Sequence, residues 1–358
     1  MAATPTADGG LEWTDDLPPL AERVFVLTRR DDGGLEVPEP FTVREAHSIP
    51  GPFAYALDEP NLCVLDFAAW QLADGPWEPE AEILKIDEAV RARVGLAPRG
   101  GTMVQPWARP ASEEARPHGR LRLRFIFDVG TVPAGPVELL VETPERFAVA
   151  INGVRTTAAE GWRIDPCLRR VPVPAGALRA GENRVELEAE FTDDLNLETI
   201  YLAGNFGVSL AGRRATLGAL PERLAVGDIA AQGLPFYSGK ISWRLSVPAE
   251  AGPGRARLAL QPVGCAAVKV RAADGTECLL PWAPFEADLG KLDGTGELTC
   301  ETYLTRRNTF GPLHEVPRVQ SVCGPNSFRT GGERFSEEYQ LFPCGFAAAP
   351  TVSYDSAL

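Results

Sequence analysis

Short runs that alternate apolar and polar residues, separated by turns rich in Gly and Pro, fill the chain from Arg120 onward. Leu121, Leu123, Phe125 and Phe127 fall on one face of the run 121–129, the period of two that marks a strand with one buried side. Val137–Glu142, Phe147–Ile151, Val185–Phe191 and Ile200–Val208 follow with no helical period between them. Strands at this spacing predict a sandwich or jelly roll. A second series opens at Ile241–Val247, and one pattern occurs in both series. In the first it runs Phe147–Ile151, Asn152-Gly153, Trp162, Asp165, Gly181 and Val185–Phe191; in the second, Ala267–Arg271, Asp274-Gly275, Trp282, Asp288, Gly294 and Glu297–Leu304. Asn-Gly and Asp-Gly between alternating residues predict hairpins, because tight hairpin turns need positive φ. The fold class expected is mainly β, with tandem jelly-roll β-sandwiches and a small mixed N-terminal segment.

Upstream, residues 1–20 read as a flexible leader and 21–110 as the mixed segment, with strand-like Arg23–Leu27 and a buried strand at Asn61–Phe67. Within it, Ile83, Ile86, Val90 and Val94 recur at helical spacing and Gly95 stands where a helix would stop. The Pro- and Arg-rich stretch Pro98–His118 marks a boundary. Residues 111–220 are assigned to the first sandwich and 221–358 to the second, which carries a long insertion, Thr305–Glu338, before a final strand Tyr339–Phe342.

Composition narrows the function classes. A formal net charge of −14, with acids scattered along all 358 residues, opposes nucleic acid and anionic membranes as partners. The N-terminus lacks the basic and apolar segments of a signal peptide, so a cytoplasmic location is expected, or a secreted one if the start has been trimmed. Seven cysteines form no C-x-x-C pair, and most of them read as small buried hydrophobes. No Gly-x-Ser-x-Gly elbow or phosphate loop occurs.

The series Asn152-Gly153, Trp162-x-x-Asp165, Leu178-x-x-Gly-x-Asn183, Leu197-Glu198-x-Ile-Tyr201 and Gly204-Asn-Phe-Gly207 resembles the galactose-binding-like β-sandwich of large bacterial glycoside hydrolases of the β-galactosidase and α-L-rhamnosidase type. The segments Gly233-Leu-Pro-Phe-Tyr-x-Gly239, Arg307-Asn308-Thr-x-Gly311-Pro312-x-His314 and Gly324-Pro-x-x-Phe328 are similar to the C-terminal end of the same enzymes. In that family the catalytic carboxylates sit on a separate (β/α)8 barrel, and eight alternating strand and helix units are not seen in this sequence. The resemblance therefore implies a carbohydrate-associated module without its barrel, or a subunit or fragment that works with a catalytic barrel partner. A structural protein-interaction sandwich is the other reading.

Candidate sites follow from what sugars require: an aromatic face, and planar amide or guanidinium groups that bond adjacent hydroxyls. Arg306, Arg307, Asn308 and His314 in the insertion form the richest polar cluster, and substituting Arg307 and Asn308 is expected to abolish glycan binding without loss of stability. Trp162, with Arg163 and Asp165, and Trp282 could serve as platforms; their recurrence favours core or edge packing instead. Asp193, Asp194 and Glu198 could hold a structural calcium, or line a solvated loop with Glu198 paired to an Arg; no other cofactor is expected. His47 and His118 lie in Pro-rich loops without a triad context, and no catalytic residue is assigned.

Overall fold

A computed structural model describes residues 4–15, 41–99, 115–247, 254–292, 296–318 and 323–355. The chain is mainly β, as its alternation predicts, and two separate hydrophobic cores underlie two sandwiches. In the first, one sheet is centred on the long strands Pro117–Val129 and Gly181–Thr192, flanked by Ala148–Ile151 and Arg214–Gly218. The second sheet runs Trp162–Arg163, Asp165–Pro172, Val137–Glu142, Ile200–Gly204 and Asn61–Leu65 in that order. Leu121, Leu123, Phe125 and Phe127 all enter the core between them.

The second sandwich pairs a five-stranded sheet built on Lys240–Ser246, Cys265–Arg271 and Glu297–Leu304 with a four-stranded sheet that includes Gly254–Ala259 and Thr351–Asp355. At its centre, Trp243 packs against Phe53 and Phe346, and its indole N–H donates to Thr302 Oγ1 at 2.9 Å.

The stretch expected as a mixed unit of its own is divided between the two sandwiches. Val43–Ser48 and Ala54–Leu57 are edge strands of the second, whereas Asn61–Leu65 and Phe67–Leu72 belong to the first. The helix forms at Ile83–Arg93, with Gly95 at φ +75° just beyond it. Its N-cap is Glu82, whose carboxylate accepts from the backbone N–H groups of Leu84 and Lys85. His47 lies in a strand rather than a loop, and so does His118. The strand expected at Arg23–Leu27 is outside the described residues.

The hairpin signals act differently. Asn152 and Gly153 both take positive φ and join Ile151 directly to Val154. The Asn152 amide also donates to Asn183 Oδ1 at 2.7 Å and accepts from Arg184 N–H at 2.9 Å, so two residues of the resemblance motif hold each other. Asp274-Gly275 instead sits in the five-residue loop Ala272–Thr276, where only Gly275 has positive φ.

The insertion after Leu304 follows the second sandwich in sequence but packs against the first. Leu313 belongs to the first core, and Phe310, Tyr339 and Leu341 pack on it. Tyr339–Phe342 is not a strand. The Phe342 N–H and C=O are taken by the Asn308 side-chain amide, at 2.9 and 2.8 Å, which replaces a sheet ladder. Of the cysteines, Cys63, Cys300 and Cys344 are buried thiols, while Cys167 and Cys323 are exposed. No helix among the described residues is long and apolar enough to cross a membrane.

Phe125→Ala would open a void in the first core. It should cost about 3–5 kcal/mol in urea denaturation, and a loss under about 1 kcal/mol would mean that this position is not close-packed.

Candidate functional site

Where the insertion lies over the first sandwich, a cavity of about 330 Å³ forms. Glu142 stands at the end of strand Val137–Glu142, Asp66 in the turn after Asn61–Leu65, and Glu82 at the start of the helix. Asp165 and Glu198 complete the acidic wall, and Phe310, Leu313 and Phe328 supply the apolar one.

His314 is the anchor of the insertion. Its Nδ1 lies 2.8 Å from the Ser336 carbonyl and its Nε2 lies 2.9 Å from Asp66 Oδ2. Both neighbours are acceptors, so the ring fits this place as a doubly protonated imidazolium. Burial alone would lower the pKa of His314, but the Asp66 carboxylate outweighs it and the balance is upward. Tyr339 donates to the other Asp66 oxygen at 2.7 Å, and Phe67, Phe335 and Tyr339 surround the imidazole.

Three of the carboxyls are pushed toward the neutral acid. Burial raises Glu82 to about 7, against the help of its two capping N–H groups. Burial also raises Glu142, and the negative charges of Glu198 and Asp165 add to the effect. Glu198 is raised by burial although Arg99 opposes it. Glu82, at about 7, can thus meet a ligand as acceptor or as donor near neutral pH, which suits hydroxyl groups.

Of the predicted polar cluster, only His314 lines this cavity. Arg306 turns away and makes a bidentate pair with Glu59, at 2.6 and 2.5 Å. Arg307 lies over the Phe342 ring, 5.0 Å from its centroid, and a Cβ on Gly311 would collide with its carbonyl oxygen. Asn308 is buried and structural, as is Thr309 beside Ser238. The expectation that Asn308 can be replaced without loss of stability is therefore corrected.

Trp162 is 49% exposed and sits at the sheet edge, in a two-residue strand. Trp282 is partly buried in a bend and does not occupy the equivalent place. The three acids expected around calcium are each turned to a different partner. Arg146 pairs with Asp194 and Arg99 with Glu198, both at 3.1 Å, while Asp193 accepts from the Arg116 N–H at 3.0 Å. Among the described residues no group of three or more His, Cys, Asp or Glu is arranged to hold a metal ion. Asp66, Glu82 and Glu142 had no local signal in the sequence; Asp66 and His314 are 248 positions apart.

No protein-family model matches the chain, and no curated protein does. Solved structures overlap parts of it. A putative β-galactosidase from Bacteroides fragilis is 12% identical, with a TM-score of 0.23 over 68% of this chain and 36% of that one. A Ruminococcus gnavus β-glucuronidase is 13% identical, with a TM-score of 0.23 over 70% of this chain and 40% of that one. A GH2 β-galacturonidase from Eisenbergiella tayi bound to galacturonate is 9% identical, with a TM-score of 0.24 over 72% and 39%. The chain thus spans about two fifths or less of the length of these proteins.

Two consequences are measurable. His314 and Glu82 are both raised in the fold, so each favours the folded state at low pH and loses that contribution as pH rises. For Glu82 the window runs from its ordinary 4.5 to about 7; its share is on the order of 3 kcal/mol. Glu82→Gln should flatten the fall in stability between pH 5 and pH 8 in urea titrations, and an unchanged slope would assign the effect elsewhere. Separately, Asn308→Ala strips the Phe342 backbone of both partners and should lower stability by about 1–3 kcal/mol, read from the denaturation midpoint.

Proposed function

We propose that the protein is a non-catalytic, carbohydrate-associated module, or a subunit of a glycoside hydrolase system, that holds a sugar in the cavity between the first sandwich and the insertion. The observation that carries this reading is the cavity of about 330 Å³, lined by Glu82, Glu142 and Glu198 together with Phe310 and Phe328. Its volume is at the small end of ligand sites, which suits one sugar unit rather than a chain. Hydroxyl groups can both donate and accept, and Glu82, raised to about 7, can answer either role. Phe328, 41% exposed at the cavity wall, offers an apolar face to a pyranose ring. The motif resemblance in Asn152-Gly153, Asn183, Gly233–Gly239 and Arg307–His314 supports the same class.

A glycan-array screen, followed by calorimetry, tests the reading. Phe328→Ala and Glu142→Gln should each weaken binding at least about tenfold, equivalent to about 1.4 kcal/mol, with little change in Tm for the exposed Phe328. Release of aryl from aryl glycosides by the chain alone would overturn the non-catalytic assignment, and Glu82, titrating near neutrality, would then be the first general acid to test.

A further inference from the structure

A second, larger depression lies where the chain passes from the second sandwich to the first. Its volume is about 970 Å³, and both sandwiches contribute walls. Tyr55 comes from the edge strand Ala54–Leu57 of the second, and Glu138 and Trp162 from the first. The Tyr55 hydroxyl donates to the Pro221 carbonyl at 2.6 Å, which fixes one wall to the connecting segment.

We propose that this groove is a separate carbohydrate site, which takes a neutral oligosaccharide chain with one pyranose face against the Trp162 indole. The proposal rests on the carbohydrate reading given above and adds a site and a substrate class to it.

Trp162 is held outward by a local distortion. Ile164 has φ +68°, a left-handed conformation rare for a β-branched residue, and its side chain packs against the first core. The pairing with Asp165–Pro172 slips between Trp162 and Arg163, a bulge of the kind that re-aims side chains. Partly buried Ile164 thus anchors the turn and leaves the neighbouring indole on the surface. Strain of this sort gathers where a side chain is being presented.

The polar groups around the indole are fixed in advance. Arg163 and Arg170 grip opposite oxygens of Glu138, at 2.9 and 2.8 Å, and although burial works against it they hold Glu138 below the usual carboxylate range. Glu59 is clamped by Arg306 and Asp58 accepts from the Tyr237 hydroxyl at 2.9 Å. Asn205 adds an exposed amide.

Charge selects among sugars. Asp58, Glu59, Glu138 and Glu222 line the groove against one lining cation, Arg163. Arg170 and Arg306 neutralise two of the acids from outside, which leaves a negative balance on a chain whose formal net charge is already −14. A uronate or sulfated chain would meet repulsion here, whereas hydroxyls find oriented acceptors. A groove of about 970 Å³ also accommodates several units, unlike the smaller cavity.

The test titrates the full chain with neutral oligosaccharides (gluco-, galacto-, manno- and xylo-series) and with oligogalacturonides, using the wild type, Trp162→Ala, Asn205→Ala and Phe328→Ala. Trp162 and Asn205 are exposed, so Tm should hold and losses report on binding. Neutral chains should bind, with at least a tenfold loss in Trp162→Ala and a smaller one in Asn205→Ala, and the Trp162-dependent component should persist in Phe328→Ala, which removes only binding at the cavity. Binding that disappears in Phe328→Ala but survives Trp162→Ala would overturn the groove while the cavity reading stands. Trp162-dependent binding of oligogalacturonides would overturn the neutral class. Silence toward every glycan would overturn both the groove and the reading beneath it.

Discussion

The buried pair between His314 and Asp66 is the contact on which the placement of the insertion depends. Asp66 receives the imidazolium on one oxygen and the Tyr339 hydroxyl on the other, while its backbone carbonyl accepts from Ile83 N–H at the start of the helix. One residue therefore ties together a strand end, a helix start and both limbs of the insertion. Taking two charges out of water is costly, and apolar replacements often stabilise a fold at least as well. What an apolar pair would not do is fix direction: a carboxylate with two donors set at defined angles allows one seating of the loop. The cavity exists because that seating is fixed.

The same arrangement explains the unusual chemistry of the acids nearby. Glu82 caps the helix but lies beneath the insertion, so burial drives it toward the neutral form. Elsewhere the fold disposes of its negative charge with arginines. Asp87, buried in the helix, is met by Arg91 and Arg99 at 3.1 and 3.0 Å, and Arg99 continues to Glu198 and the Leu197 carbonyl. Guanidinium forks occupy the places where a calcium ion was expected, because a planar group with five donors can satisfy carboxylates and loop carbonyls at once.

Local signals in the sequence were reliable wherever the physics is local. Alternation at Leu121–Val129 placed four side chains in the core, Asn152-Gly153 made its two-residue turn, and the helical spacing of Ile83, Ile86 and Val90 located the helix. Failures occurred where a distant residue decides the outcome. Tyr339–Phe342 has strand-like composition, but the Asn308 amide claims its backbone and Asp66 its tyrosine. Arg306 and Asn308 read as ligand-facing because they are polar and clustered, yet their partners, Glu59 and Phe342, lie 247 and 34 positions away. Trp162 was expected in core or edge packing and takes the edge, where the left-handed Ile164 beside it, invisible to any pattern of hydrophobicity, goes with an indole left 49% exposed.

The cavity acids also constrain what can enter. Burial raises both Glu142 and Glu198, and the charges of Glu198 and Asp165 add to the effect on Glu142. An anionic ligand would add a further like charge to a wall already short of cations, with Arg99 committed to Asp87 and Glu198. A neutral polyol does the opposite: each hydroxyl can donate to an ionised carboxylate or accept from a protonated one, so the wall keeps its own protons and the ligand adjusts by rotating O–H bonds. The electrostatics of the cavity and of the groove therefore favour the same uncharged chemistry, although the two sites are built from different elements.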